Sequence, residues 1–521
     1  MCLTQRKYLT VQLGLSEFED KLTQANWSEV YDADCVNQAW LKFKAIFLSL
    51  LDEIAPLKKI RVKQNTEIWM NSFILDLIRK RDMFIQKFAT TGKTEYKALY
   101  TSYKNKVNYE KKKAKSTYYK ETIISNKKNP KQLWKILKQL GSSTKCVTKS
   151  QNISLNIEGS LCFDKTKLAN HFNTFFSSIA KKLSDSLPSA SNMFNSQFIT
   201  DYYKDKVSNC SFVLHEVSEE IIFKHLSDLN IYKATCLDSI PAKFLLDGAR
   251  AITRPLTSIV NLSIRTGSVP QEFKSARVVP IYKKKSKTDP GNYRPVSILC
   301  IISKIVEKII SDQLFAYLSK NNLLYELQSG FRPSYSTDSC LINLCAYILK
   351  ENDKGNYSGM IIIDLQKAFD TVQHTILLEK LKAIGMEEIA VQWFQSYLTG
   401  REQLVDISDT FSEKCSVECG VPQGSILGPL LFLLYVNDMR AAVKCKLLLY
   451  ADDSALIVSG EDVSVIEQTL ESELESLNKW LIDNRLSPHL GKTELILFGT
   501  KRKVGKCKEM NKNKNKTCFI S

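Results

Sequence analysis

The apolar positions of this chain change period several times. From Lys165 to Leu183, Leu168, Phe172, Phe175, Phe176 and Ile179 recur at helical spacing and predict one buried face. His171, inside that stripe, reads as a structural histidine. Upstream, residues 68–124 read as one or two long helices in which aromatic and basic residues alternate, with Tyr96, Tyr100 and Tyr103 at i, i+4 and i+7. Asn129-Pro130 ends that stretch. Trp134, Ile136, Leu137 and Leu140 then form a short amphipathic helix closing at Gly141, and residues 142–152 are polar and linker-like.

The second half of the chain switches to strand patterns. Ser358–Asp364 reads SGMIIID, an apolar strand covered on both faces with a carboxylate at its C-terminal end, and a helical start is expected at Lys367–Val372. KLLLYADDSALIVSG, residues 446–460, predicts two short strands, Leu447–Tyr450 and Ala455–Val458, joined by a tight turn carrying Asp452 and Asp453. Ile466, Leu470, Leu474, Leu477 and Leu481 then mark a helix packed on a sheet, and Glu494–Phe498 a final strand. Together these elements predict a small antiparallel α+β unit. Between them, the Gly/Pro-punctuated segment 420–429 (GVPQGSILGP) opens an apolar helix over Leu430–Val436. Its glycines suit either close approach to a phosphate-bearing ligand or an ordinary turn.

Composition narrows the possibilities. With 521 residues, 44% hydrophobic and 25% charged, the chain is long enough for several domains and too apolar for disorder. Its 19 Gly and 13 Pro exclude collagen-like and Pro-rich classes. No signal peptide or run of 18 apolar residues is visible, so no membrane partner is expected. Fourteen Cys without a CxxC, beside five His, fit a reducing compartment and give no zinc site; Cys415 and Cys419 read as free thiols. The net charge of +18 is concentrated: Lys58–Lys149 holds 24 Lys/Arg against six Asp/Glu, and Lys501–Thr517 eight against one, leaving −7 for the rest. A basic arm and a basic tail flank a mildly acidic body, the footprint of a polyanion-binding protein.

In the arm, Tyr100 with Lys111, Lys112, Lys113 and Lys115 combines a base-stacking ring with phosphate-neutralising ammonium groups, which suits RNA; a solvated helix with a packed Tyr stripe is the alternative. Asp-Asp at a hairpin tip is ordinary turn chemistry by itself. Set beside a strand ending in Asp364, it brings three carboxylates together, a cluster that is unfavourable unless a cation sits in it. Hard oxygen ligands in that number suit Mg²⁺. Two such ions serve an in-line phosphoryl displacement.

At this point the chain resembles the reverse transcriptases of non-LTR (LINE, jockey-type) retrotransposons, strongly from about residue 152 to 502 and more weakly in the basic arm. The motifs are KATCLDSIP (233–241), RVVPIY (277–282), NYRPVS (292–297), QSGFR (328–332), DLQKAFD (364–370), the 420–429 loop and YADD (450–453). The resemblance implies that Asp364, Asp452 and Asp453 bind two Mg²⁺ and that Phe369 is the steric gate against a ribose 2′-OH. Gln423 would lie beside the incoming nucleotide and template, Arg294 with Lys283 would clamp its phosphates, and Lys492 would protonate the pyrophosphate. It further implies an α+β right-hand polymerase that copies an RNA template from a DNA primer or target with dNTPs, inside the cell in cytoplasm and nucleus.

The chain departs from the family pattern at Cys236, where Gly is usual, and at Gln366 and Gln373, where Ser and Asp are usual. Asp370 reads as a helix-start residue rather than a group assisting the metal site, and His374 as capping or flanking the helix after it. The expected organisation is a helical remnant of an upstream linker (1–57), the basic arm (58–150), a helical N-terminal extension (151–231), fingers (232–350), palm (351–500) and a basic tail (501–521), with endonuclease and thumb absent as in a truncated copy. An RNA-directed RNA polymerase is disfavoured by Phe369, since such enzymes place an Asp there. A catalytically inactive RNA-binding remnant of a decayed element is the alternative from a different class.

Overall fold

The computed structural model describes residues 2–6, 13–61, 69–127, 133–134, 137, 153–188, 196–207, 211–500 and 517–520. The chain divides into two compact units, residues 1–7 with 56–152 and residues 8–55 with 153–521.

In the first unit, strands Cys2–Arg6 and Leu57–Arg61 pair antiparallel, and helices Ser72–Thr91 and Thr94–Ser125 form a hairpin. The Asn71 side chain accepts the Ile74 N–H at 3.0 Å to start the first helix, and Gly92, at φ +67°, ends it in the left-handed region. Tyr103 lies 5.3 Å from Phe84 and the Lys87 ammonium sits over Tyr96, so two of the three stripe tyrosines serve the hairpin's own packing. Lys112, Lys113 and Lys115 are exposed, whereas Lys111 and Tyr100 are half-buried. The expected helix around Trp134–Leu140, the 142–152 linker and the 501–516 tail lie wholly or largely outside the described residues.

The second unit contains two five-stranded sheets and many helices. Residues 8–55 are part of it. Trp40, Phe43, Phe47 and Leu51 on helix Val36–Ile54 form an apolar face that enters the main core, and Trp40 packs edge-on to Phe273 at 4.8 Å. Burying that aromatic face is the physical reason the segment joins the body.

The first sheet runs Cys415–Val417, Arg401–Ile407, Ser275–Tyr282, Tyr293–Ile298, with Thr410–Phe411 as a fifth strand paired to Arg401–Ile407. Helix Lys165–Asp185 covers it, with Leu168, Phe172 and Phe176 packed against Val278, Tyr293 and Val405. Arg401–Ile407, expected to belong with residues 351–500, pairs in parallel with Ser275–Tyr282 instead. The second sheet has the order Lys446–Tyr450, Asp453–Gly460, Tyr357–Asp364, Glu494–Phe498, Thr517–Ile520. All its pairings are antiparallel except the last, which is parallel. Tyr357–Asp364 is its central strand, which explains an apolar run with no alternation. A Cβ at Gly359 would stand 2.6 Å from Ile466 Cγ2, so that glycine lets helix Val463–Asp483 lie directly on the strand. Helix Leu427–Val436, apolar on every side, is buried in the core next to this sheet. Among the described residues no helix is long and apolar enough to cross a membrane.

Candidate active site

The strand ends of the second sheet assemble the acidic centre. Asp364 and Asp453 are direct partners in the antiparallel register, and Tyr450 pairs with Asp453 on the other side, leaving Ala451 and Asp452 as a two-residue turn. Ala451 sits at φ +57°, in the left-handed region such turns require. Partial burial and the neighbouring Asp452 raise the Asp453 carboxyl above the usual carboxylate range, and Lys283 opposes them.

The QSGFR segment, which sequence reasoning treated only as part of the resemblance, holds this turn from behind. Ser329 N–H donates to Leu449 O at 2.9 Å and Leu449 N–H to Leu327 O at 3.1 Å. The buried Gln328 side-chain oxygen accepts from Ala451 N–H at 3.0 Å and Gly330 N–H at 2.8 Å. A Cβ on Gly330 would stand 2.2 Å from the Ala451 nitrogen, so only glycine fits. A Gln two residues before a glycine, beside the apolar Leu327, was the available signal.

Cations face the carboxylates. The Lys492 ammonium is ion-paired with Asp364 Oδ2. Backbone bonds fix the approach of its segment: His489 N–H donates to Asp364 O at 2.7 Å and Lys492 N–H to His489 O at 2.9 Å. Gln366 contributes as well, its backbone N–H bonding Ser487 O at 2.8 Å and its Nε2 bonding Pro488 O at 3.1 Å. Burial and the field of Lys283, Lys284 and Lys285 lower the Lys492 pKa. Lys283 is itself lowered by burial, Arg294 and Lys284, while Asp452 and Asp453 act to raise it. Lys283 and Arg294 lie on the exposed hairpin of the first sheet, where Arg294 pairs with Ile281 and Lys283 N–H bonds Asn292 O. The site is therefore acidic on the second sheet and basic on the hairpin above it. The donor chemistry fits a hard divalent cation. Among the described residues, however, no three His, Cys, Asp or Glu side chains converge as a ready cage, and Asp364 is ion-paired with Lys492.

Phe369 lies in a series of turns after the Asp364 strand; the helix expected there begins only at His374. Lys367 at φ +49° starts these turns. The Phe369 ring is half-buried, stacked on Phe432 at 4.7 Å and edge-on to Phe331 at 5.8 Å. The glycine-rich loop is laced to this segment by Val421 N–H to Phe369 O at 2.8 Å and Gly420 N–H to Val372 O at 2.7 Å. Gln423 Nε2 donates to Asp370 Oδ1 at 2.9 Å. Asp370 thus bonds the loop and does not cap a helix. His374, kept neutral by burial, bonds Gly420 O through Nε2 at 2.8 Å. The buried Glu307 carboxylate accepts the Ile426 and Leu427 N–H groups at 2.6 and 3.4 Å, capping the helix that the loop opens. Cys415 and Cys419 are free thiols, and burial followed by the nearby Asp370 charge pushes Cys419 up to about 11.

The second sheet presents two paired aspartates and a third in the adjoining turn, under a basic hairpin. Residues 282–517 match the family described as reverse transcriptase (RNA-dependent DNA polymerase). The chain is 31% identical over 280 residues to a probable RNA-directed DNA polymerase from transposon BS of Drosophila melanogaster, covering 52% of this chain and 31% of that protein. It is 24% identical over 488 residues to the RNA-directed DNA polymerase from mobile element jockey of Drosophila funebris, covering 90% of this chain and 51% of that one. Over these segments the chain is similar to RNA-directed DNA polymerases of transposable elements. It spans about half, or less, of the length of these relatives.

Proposed function

We propose that this chain is an RNA-directed DNA polymerase that extends a DNA primer along an RNA template. The observation carrying this reading is the pairing of Asp364 with Asp453 across adjacent strands, with Asp452 in the intervening turn and Lys283 and Lys492 facing them. The second sheet serves as the palm and the first, with Arg401–Ile407 included, as the fingers. The arm helices bind RNA through Lys111, Lys112, Lys113 and Lys115, with Tyr100 offering a ring. The work is done within the cell, in cytoplasm and nucleus.

Asp364, Asp452 and Asp453 hold two Mg²⁺. When bound, these supply Lewis-acid stabilisation of the attacking and leaving oxygens. Lys283 and Arg294 orient the triphosphate from the fingers side. The primer 3′-oxygen bonds to the α-phosphorus as the bond to pyrophosphate breaks, and Lys492, its proton loosened by burial and by three neighbouring lysines, gives that proton to the leaving oxygen. Phe369, held by Phe432 and Phe331, closes the space a 2′-OH would need, and Gln423 lies along the nucleotide. Primer extension by the full chain with Mg²⁺ and dNTPs on an RNA template tests the reading. Template-directed incorporation is expected; RNA binding with no incorporation would favour an inactive RNA-binding protein.

A further inference from the structure

Gln423 is held at both its backbone and its side chain. Its carbonyl accepts the Ser297 N–H at 2.8 Å, and Gly424, at φ +120°, lets the loop pass where a Cβ would stand 2.5 Å from Ser297 O. Its side-chain Nε2 donates to Asp370 Oδ1 at 2.9 Å. Asp370 is equally constrained: its N–H bonds Lys367 O at 2.8 Å, and its carbonyl lies so near Gly420 that a Cβ there would come within 2.7 Å. Asp370 Oδ2 is buried and has no hydrogen-bond partner among the described residues. The side-chain hydrogen bond this carboxyl makes is thus spent on Gln423.

An amide can present either its oxygen or its nitrogen to a neighbour, and the two orientations are nearly identical in shape. A carboxylate removes the choice, since it only accepts. The Gln423 nitrogen is drawn to Asp370, and the amide oxygen is left facing the other way. We propose that Asp370 is a positioning residue for nucleotide binding, which fixes Gln423 so that its side-chain oxygen is free to accept a hydrogen bond from the incoming nucleotide.

This inference rests on the reading that Gln423 lies beside the nucleotide. The charged and titratable groups around Asp370 are Lys367, Cys419, and Arg401 and Glu402, which line with it a cavity of about 50 Å³. Burial raises the Asp370 carboxyl to about 6, against opposing contributions from Gln423 and Lys367. Above that value the amide has one orientation. Below it the protonated carboxyl donates as well as accepts, and the amide is free to reverse.

The test combines kinetics with a measurement that needs no turnover. In primer extension by the full chain, Asp370→Leu should raise KM for dNTP about five- to tenfold with little change in kcat, the worth of one hydrogen bond. In a Gln423→Ala background the same substitution should add almost nothing. Independently, in glutamine-selective ¹⁵N spectra, the Gln423 side-chain amide signal, identified by its loss in Gln423→Ala, should titrate with a midpoint near 6 in wild type and stay fixed in Asp370→Asn. A chain that does not polymerise defeats the functional reading, while the spectra still decide the Asp370–Gln423 linkage. An amide signal indifferent to both pH and Asp370→Asn, or additive effects of the two substitutions on KM, would overturn the proposal.

Discussion

The side-chain oxygen of Gln328 accepts the backbone N–H of Ala451 at 3.0 Å, tying a segment more than a hundred residues upstream to the turn that carries Asp452. The same oxygen takes the Gly330 N–H. Gln328→Met keeps the shape and removes the acceptor, stranding two buried N–H groups at about 1–3 kcal/mol each. Urea unfolding should show a loss of about 2–6 kcal/mol, and primer extension should fall about 10–100-fold as the turn loosens. An unchanged midpoint with full activity would mean the bond is idle.

Asp452→Asn preserves side-chain shape and removes a charge. If metal-assisted transfer carries the rate, incorporation of dNTPs should fall by two or more orders of magnitude, roughly 3 kcal/mol or more. The unfolding midpoint should not fall, because removing the Asp452 charge relieves its repulsion of Asp453. Wild-type rates in this variant would remove Asp452 from the site.

Phe369 is held between Phe432 and Phe331, so its ring has a fixed position from which to exclude a 2′-OH. Opening a tight site relieves about 1–3 kcal/mol of overlap, or about 5- to 150-fold in rate. The ratio of rNTP to dNTP incorporation should rise by that factor in Phe369→Val, at some cost in stability from lost ring contacts. An unchanged ratio would make Phe369 a packing residue alone and reopen the RNA-polymerase alternative.

The folded-state pKa of Asp370 lies above its unfolded value of 3.8, at about 6. The folded chain therefore binds a proton that the unfolded chain has already lost, and stability falls as pH rises from about 4 through 6. The shift of roughly two units corresponds to about 3 kcal/mol at neutral pH. Asp370→Asn, which cannot ionise, should be more stable than wild type at pH 8 while binding dNTP less well. Thermal unfolding at pH 5 and pH 8 would show it, and the same stability difference at both values would refute it.

Lys112, Lys113 and Lys115 are exposed on the arm and Lys111 is half-exposed. Replacing Lys111, Lys112 and Lys113 by Ala in the whole chain should weaken RNA binding and reduce the slope of log affinity against log salt by about 2, at about 0.7 per phosphate contact on a single strand. Filter binding across a salt series measures both. A slope equal to wild type would return the arm to a solvated helix.

Much of the second unit was legible in the residue pattern because helix and strand periods are local. The apolar run at 360–363, the Asp-Asp turn and the heptad-like stripe from Ile466 to Leu481 each announce their element within a few residues, and their carboxylates mark the chemistry. Partnership across long separations is not local. The sequence contains Asp364 and Asp453 but not the register that sets them opposite each other; antiparallel pairing of two buried strands decides that. It contains Gln328 and Asp370 as isolated polar residues, and only packing reveals that Gln328 bonds Ala451 and Asp370 bonds Gln423. Arg401–Ile407 follows the Asp364 strand in the chain yet joins the first sheet, and residues 8–55 join the body that begins again at 153, because apolar faces are buried wherever the folded chain offers a complementary surface. Composition and period fix which segments must be covered. Only the tertiary structure chooses what covers them, and with that choice it sets the geometry of the site.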